Sequence, residues 1–315
     1  MSQLGTAAKA YLLLRRRLGY ALKGADRRLA NFVALVDEEG DGVITTELAL
    51  RWARRPRRAQ PATWAARLAL ARRFAAHHKA TDPRTEVPPA GLLPERYRRQ
   101  RPYIYTEAEI HRVLEATAEL RSPRGIRALT YTTLFGLLAA TGMRVSEVVA
   151  LDGEDVDLAE GVLTIRHAKF DSSRLVPIHT TTIHALQEYT AKRDTALPRL
   201  TTSAFFVSER GRRVTGCSTR YNFALVSRQV GLREPTERHR HGRGPRLHDL
   251  RHRFAAETLL RWYRKGADVE REMAKLSAYL GHVHVNDTYW YIEAVPELLE
   301  LAALRVTGDR MEEPS

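Results

Sequence analysis

The segment from 81 to 102 most limits what this chain can fold into. It holds Pro83, Pro88, Pro89, Pro94 and Pro102, together with Gly91 and the basic run Arg96–Arg101. Proline fixes φ and removes a backbone donor, so neither a regular helix nor a central strand passes through such a stretch. A chain of 315 residues interrupted there has to bury two separate cores. The expected division is a helical domain over 1–88, a basic linker over 89–102, a second domain over 103–305 and a disordered polar tail over 306–315.

Apolar residues before the linker recur at helical spacing. Tyr11, Leu12, Leu14, Leu18 and Leu22 form one stripe, and Leu29, Phe32, Val33, Leu35 and Val36 form another. Thr45 and Thr46 introduce a third helix through Leu48, Leu50 and Trp52, and Thr63–His78 forms a fourth around Trp64, Leu68, Leu70 and Phe74. The run Asp37–Leu48 begins like a calcium loop, with Asp37, Glu39, Asp41 and Gly42 in order. Its last ligand position holds Leu48 where a bidentate Glu is required, so a polar turn is expected instead.

The net charge of +14 is concentrated in this part. Residues 1–102 carry 21 Lys and Arg against 9 Asp and Glu; the remainder carries 30 against 28. Such an excess suits a polyanion, above all nucleic acid. Arg54, Arg55, Arg57, Arg58, Arg67, Arg72, Arg73 and Lys79 surround the third and fourth helices as a phosphate-tracking face. No apolar run is long enough to span a membrane. Leu12-Leu13-Leu14 is too short for a signal segment and runs straight into three arginines, so a cytoplasmic protein is expected. The single cysteine, Cys217, excludes an internal disulfide and a cysteine-based zinc site.

Beyond the linker the pattern is mostly helical with a small antiparallel sheet. Thr106–Glu109 is a capping box, and Ser122-Pro123 is expected to start a helix that leads into the apolar stretch Leu129–Ala140 and ends at Thr141-Gly142. Arg144–Leu151 reads as a new helix with Arg144 in its first turn. Val162–Ile165 and Arg174–Ile178 read as paired strands, with Lys169 and Asp171 in the turn between them. Further helices are expected over Thr181–Tyr189, Ser218–Val230, Leu247–Lys265, Asp268–Leu280 and Glu297–Leu304. In the run Arg246–Ala256, His248 and Arg251 are three apart and share a helix face, while Leu250 and Phe254 bury the same segment. A guanidinium beside an imidazole suits a phosphate, which can take two hydrogen bonds from the first and one from the second.

Four separated pieces carry a resemblance. They are Thr141-Gly142-Met143-Arg144-Val145-Ser146-Glu147, Lys169 in its turn, His248-Asp249-Leu250-Arg251, and Leu280-Gly281-His282 with Tyr291 nine residues on. In this order and spacing, over Tyr103 to Ala303, they resemble the catalytic domain of the tyrosine recombinases, the phage-integrase family. The part before the linker is similar to the family's helical core-binding domain in position, size and basicity. The resemblance implies a mixed, mainly helical catalytic domain with Arg144, Lys169, His248, Arg251, His282 and Tyr291 as its catalytic residues.

By that resemblance Tyr291 attacks a DNA phosphodiester and forms a 3′-phosphotyrosine link. Arg144 and Arg251 hold the non-bridging oxygens as negative charge develops on them. His248 is a base or hydrogen-bond partner, His282 donates to a non-bridging oxygen, and Lys169 protonates the leaving 5′-oxygen. Neither ATP nor a metal is implied, and no cofactor is expected. The implied partners are double-stranded DNA and further copies of the chain, as a tetramer on paired sites, with no membrane. Glu147 is read as orienting Arg144, and Arg174, Arg212, Arg213, Arg243 and Arg246 as candidate phosphate contacts.

Several alternatives stay open at this stage. The stretch between His282 and Tyr291 departs from the family's Ser/Thr-rich spelling, and Tyr289 is a second candidate nucleophile. A type IB topoisomerase would use similar chemistry, and a catalytically inactive DNA-binding relative would keep the fold. A metalloenzyme built on His248, His252, His282 and His284 would lack the Glu that follows the first His of a zinc hydrolase. Leu298, Leu299, Leu301 and Leu304 give the last helix an apolar face that could dock on a neighbouring protomer or on its own domain.

Overall fold

The computed structural model describes all residues except 1, 21, 23, 40, 58, 95–101, 167–172, 236–243, 283, 285 and 308–315. Lys169 and Asp171 therefore lie outside the described residues, as do Arg58, Arg243 and the tail beyond 307. The chain forms two compact units, Met1–Gln100 and Arg101–Ser315.

The first unit contains α1 (Gln3–Arg17), α2 (Ala25–Glu39), α3 (Thr46–Arg54) and α4 (Pro61–His78). The Ser2 hydroxyl caps α1 by accepting the Gly5 N–H, and the Thr45 hydroxyl caps α3 by accepting the Leu48 N–H. Pro61 opens α4, where its missing donor costs nothing. The second stripe joins Tyr11 and Leu12 of the first in a core that fully buries Leu29, Phe32, Val36, Ile44, Trp52 and Phe74. Leu14 and Leu18 of the first stripe face outward instead, because α1 ends at Arg17 and buries only one narrow face. Asp41 and Gly42, considered above as part of a calcium loop, both take positive φ in a turn. Arg67 does not belong to a phosphate-tracking face. Its guanidinium stacks 3.9 Å above the Trp52 ring and donates to the Trp52 carbonyl at 2.9 Å, so it braces α4 against α3.

The second unit is mostly helical and carries a three-stranded sheet. Its elements are α5 (Glu107–Ala118), α6 (Ile126–Thr141), α7 (Val145–Val148), β1 (Val156–Asp157), β2 (Val162–Ile165), β3 (Arg174–Pro177), α8 (Thr180–Ala196), α9 (Gly216–Gln229), α10 (Asp249–Arg264), α11 (Val269–Leu280), α12 (Asn286–Ala294) and α13 (Pro296–Thr307). The sheet order is β1-β2-β3, all antiparallel, with Leu163 opposite Val176. A strand of two residues is too short to show alternation, which is why β1 leaves no sequence signal. The capping box forms as expected: Thr106 Oγ1 accepts from Glu109 N, and the Glu109 carboxylate accepts from Thr106 N at 2.8 Å.

Ser122-Pro123 does not start α6. Gly125, at φ +73°, turns the chain first, and α6 begins at Ile126. The Ser122 hydroxyl accepts the Arg127 N–H from outside the helix at 2.8 Å. α6 is apolar all round because it packs against α5, α8 and α10 at once. A second apolar cluster joins Ala255, Ala256 and Leu259 of α10 to Met273 and Leu276 of α11, and takes in Tyr291 and Leu298. The last helix folds back on its own unit: Leu298 is fully buried and Leu301 packs behind it, while Leu299 and Leu304 face outward.

Candidate active site

Two helices end in the same way, and their ends build the site. α6 stops at Gly142, with φ +62°, and α11 stops at Gly281, with φ +68°. Glycine is required at both for a second reason. A Cβ on Gly142 would stand 2.6 Å from the Phe254 ring, and one on Gly281 would stand 2.7 Å from the Arg174 guanidinium. The left-handed turn also exposes carbonyls at the negative end of each helix, where cations are favoured.

Arginines from distant segments occupy those carbonyls. Arg251 Nη1 donates to Gly142 O at 2.9 Å, and its Nη2 donates to Leu280 O at 2.7 Å. Arg144 Nη2 donates to Gly281 O at 2.8 Å. The two guanidiniums thus end on carbonyls of consecutive residues. Each motif is held by another: the arginine of His248-x-x-Arg251 by Gly142, two residues before Arg144, and Arg144 by Gly281, directly before His282.

Glu147 ties this pair to the sheet. Its Oε1 accepts from Arg144 Nη1 at 2.7 Å and from Arg174 Nη1 at 3.0 Å, and its Oε2 accepts from the Arg144 backbone N–H and from Arg174 Nη2, both at 2.8 Å. Burial by itself would raise the Glu147 carboxyl. The hydrogen bonds from Arg174 and Arg144 outweigh it and hold the group below the usual carboxylate range. Arg251, 2 % exposed, is pulled down to about 10 by burial first and by the Arg144 charge second, with Tyr291 and Glu147 opposing, and remains protonated at neutral pH. Three guanidiniums face one buried carboxylate, so the site has a surplus of positive charge and unsatisfied demand for an anion.

Two expectations change here. Arg144 is the N-cap of α7 and not a first-turn residue, because Glu147 reaches back to its N–H and closes a helix of four residues. One turn carries little dipole, so the positive field comes from guanidiniums and not from a helix end. Arg174 is not a phosphate contact: Nε donates to Tyr279 O at 2.8 Å and both terminal nitrogens go to Glu147. Arg213 is likewise committed, to Asp152 and the Val149 and Leu151 carbonyls. Arg246 touches Asp249 once, at 3.4 Å, and its side chain is 52 % exposed, so it stays a candidate phosphate contact. The sequence does contain the signal for Arg174. It shares a strand face with the fully buried Val176, and an arginine on an inward face needs a carboxylate.

The remaining groups surround this centre. His248 stands at the N-cap position of α10 with its edge exposed, yet the surrounding protein shields it from water, and Arg251 and then other guanidiniums oppose its protonation. Its imidazole therefore titrates below the ordinary value, although Asp249 partly offsets the effect. The His282 ring stacks on Tyr291 with centroids 6.3 Å apart, and its Nδ1 lies 2.7 Å from Thr288 Oγ1. Tyr291 is 2 % exposed, whereas Tyr289 is 40 % exposed on the far side of α12. His252, considered from sequence only as a metal ligand, places Nδ1 3.4 Å from the Tyr291 hydroxyl. Among the described residues no cluster of three or more His, Cys, Asp or Glu is set to hold a metal ion, and no helix is long and apolar enough to cross a membrane.

Comparison with known proteins agrees with this geometry. The Phage integrase family matches residues 104–297. The chain is 46 % identical, over 97 % of its own length and 98 % of the relative's, to a Sinorhizobium fredii protein named "Putative integrase/recombinase y4rB". It is 31 % identical to "Tyrosine recombinase XerC" of Herpetosiphon aurantiacus, over 90 % of this chain and 87 % of that one. Its fold matches that of the Tn1549 transposon integrase solved with transposon right end DNA, at a TM-score of 0.64 and 14 % identity, covering 96 % and 99 % of the two chains. Two arginines crossed between helix-terminal glycines beside a buried tyrosine, on a chain matched along nearly its whole length, place it in the phage integrase family of tyrosine recombinases, enzymes that cleave and rejoin DNA.

Proposed function

We propose that this chain is a site-specific DNA recombinase that works as a homo-oligomer on paired double-stranded sites, with Tyr291 as nucleophile. The convergence of Arg144 and Arg251 on the adjacent carbonyls of Leu280 and Gly281, beside His282 and Tyr291, is the observation that carries the reading. A phosphodiester placed there would meet two fixed cations just where pentavalent phosphorus gathers charge, with no metal in the step. Transfer to the phenol conserves the phosphoester bond energy, so a 5′-hydroxyl from another strand can reverse it. In this reading Lys169 protonates the leaving 5′-oxygen, and His248 and His282 contact the phosphate. The first unit, with Arg51, Arg54, Arg55 and Arg57 gathered at the end of α3, serves as the DNA-binding core domain.

The test is a duplex nicked just past the cleavage point, so that the short leaving strand diffuses away and the covalent adduct accumulates. The adduct is expected with the parent protein and with Tyr289→Phe, and lost with Tyr291→Phe. Loss in Tyr289→Phe with retention in Tyr291→Phe would overturn the assignment. Strand exchange between two labelled duplexes separates recombination from relaxation of a single one.

A further inference from the structure

The Tyr291 side chain lies inside the second unit, 2 % exposed. A phenol has an ordinary pKa of about 10 and attacks slowly unless a neighbour takes that proton. His252 Nδ1 stands 3.4 Å from the hydroxyl oxygen, with the ring centroids 5.5 Å apart. Its other nitrogen, Nε2, faces Asp249 Oδ1 at 3.8 Å. Asp249 is buried and anchored, because its Oδ2 accepts the Arg246 backbone N–H at 2.7 Å. The tautomer that accepts at Nδ1 carries its proton on Nε2, the nitrogen turned to that carboxylate. The imidazole is braced on two further sides, by His248 at 4.8 Å and by Trp290 at 5.3 Å between centroids.

We propose that His252 is a catalytic residue: it accepts the Tyr291 proton during strand cleavage, and Asp249 steadies the imidazolium that results. The proposal rests on the reading of Tyr291 as nucleophile. In the step, the Tyr291 oxygen bonds to phosphorus, the P–O5′ bond breaks, and the phenolic proton passes to His252 Nδ1. The leaving 5′-oxygen takes its proton from a separate acid, the part assigned to Lys169. On rejoining, His252 returns the proton to the departing phenolate. Carboxylate, imidazole and hydroxyl follow one another as in a hydrolytic triad, with a phenol in place of serine. A separation of 3.4 Å is long for a hydrogen bond, and such contacts tighten when substrate is bound. His282 is differently disposed: it lies against the face of the Tyr291 ring and turns Nδ1 to Thr288. His248, exposed one turn earlier on α10, is left to the phosphate side.

The experiment uses the full chain and the nicked duplex, with His252→Gln compared in two backgrounds. One has tyrosine at 291 and the other has 3,5-difluorotyrosine installed there, whose phenol is more acidic. His252→Gln should bind DNA normally and form adduct about 100-fold more slowly. The fluorinated phenol should recover about tenfold of that loss while changing the parent protein much less. Adduct formation at the parent rate in His252→Gln, or a loss that the acidic phenol does not lift, overturns the proposal. Asp249→Asn, which keeps an acceptor for Arg246 N–H, gives a second reading of the same rescue if His252→Gln does not fold. Should Tyr291→Phe still form adduct, the nucleophile reading falls and this one with it. If only Tyr291→Phe is dead and His252→Gln is unaffected, the nucleophile stands and the base is elsewhere.

Discussion

Arg174 grips Glu147 through both terminal nitrogens, at 3.0 and 2.8 Å, and so links strand β3 to the carboxylate that holds Arg144. The pair is nearly dry, with the Arg174 side chain 12 % and the Glu147 side chain 8 % exposed. Removing Arg174 takes away two of the four hydrogen bonds to the Glu147 carboxylate and leaves it to Arg144. Arg174→Ala is expected to destabilise the protein by about 2–3 kcal/mol, the scale of hydrogen bonds to a charged group. Arg174→Lys should recover only part of this, since an ammonium cannot make the paired contact. Denaturant unfolding of the three proteins measures both.

The same cluster predicts a pH dependence of stability. The Glu147 carboxyl is depressed in the folded state, so its contribution is fully present above its unfolded value, about 4.3. It is lost as pH falls through the depressed folded value. Glu147→Gln, though less stable at neutral pH, should therefore show a flatter acid limb in melts between pH 7 and 2. Parallel curves for the two proteins would refute this.

Gly281 should be intolerant of a side chain for reasons that are catalytic more than structural. Its φ of +68° costs an L-residue about 1–2 kcal/mol, and its new Cβ would stand 2.7 Å from the Arg174 guanidinium. Moving that side chain disturbs Glu147 and hence Arg144. Gly281→Ala is expected to lower the single-turnover cleavage rate by about 100-fold, the scale of a displacement near one ångström at a reacting centre. Single-turnover adduct kinetics at saturating protein would detect it, and a rate within threefold of the parent would count against it.

His248 should titrate below the ordinary imidazole value in the free protein, because shielding from water and nearby guanidiniums disfavour its charged form. The unfolded chain then binds this proton more readily, so the residue subtracts from stability as pH falls through its ordinary value of about 6.5. A phosphodiester beside the ring would favour the imidazolium and move the titration upward. Imidazole NMR titration with and without an uncleavable duplex follows both shifts. A His248 resonance that does not move on binding DNA would place the phosphate elsewhere.

Arg144→Lys tests the crossed anchoring directly. Lysine keeps the charge but cannot reach Glu147 and the Gly281 carbonyl together with a fixed planar group. The cleavage rate should fall about 100- to 1000-fold, as when one preorganised donor to a developing oxyanion is removed. DNA affinity, read from gel shifts, should change far less.

Much of this protein was legible in its residues taken singly and in short runs. The helical periods before the linker, the Thr106 capping box and the glycine stop after Leu280 depend on neighbours three or four residues away, and β2 pairs with the next strand in the chain, so local physics dominates in each. The order and spacing of Arg144, His248, Arg251, His282 and Tyr291 carry the family resemblance that groups them as one set. What those side chains touch was decided by folding. Whether an arginine meets a phosphate or a buried carboxylate depends on segments tens to hundreds of residues away, and so Arg67, Arg174 and Arg213 changed roles. Periodicity could give His252 a helix face but not its place between Asp249 and Tyr291, because α12 arrives there only through the packing of α10 and α11.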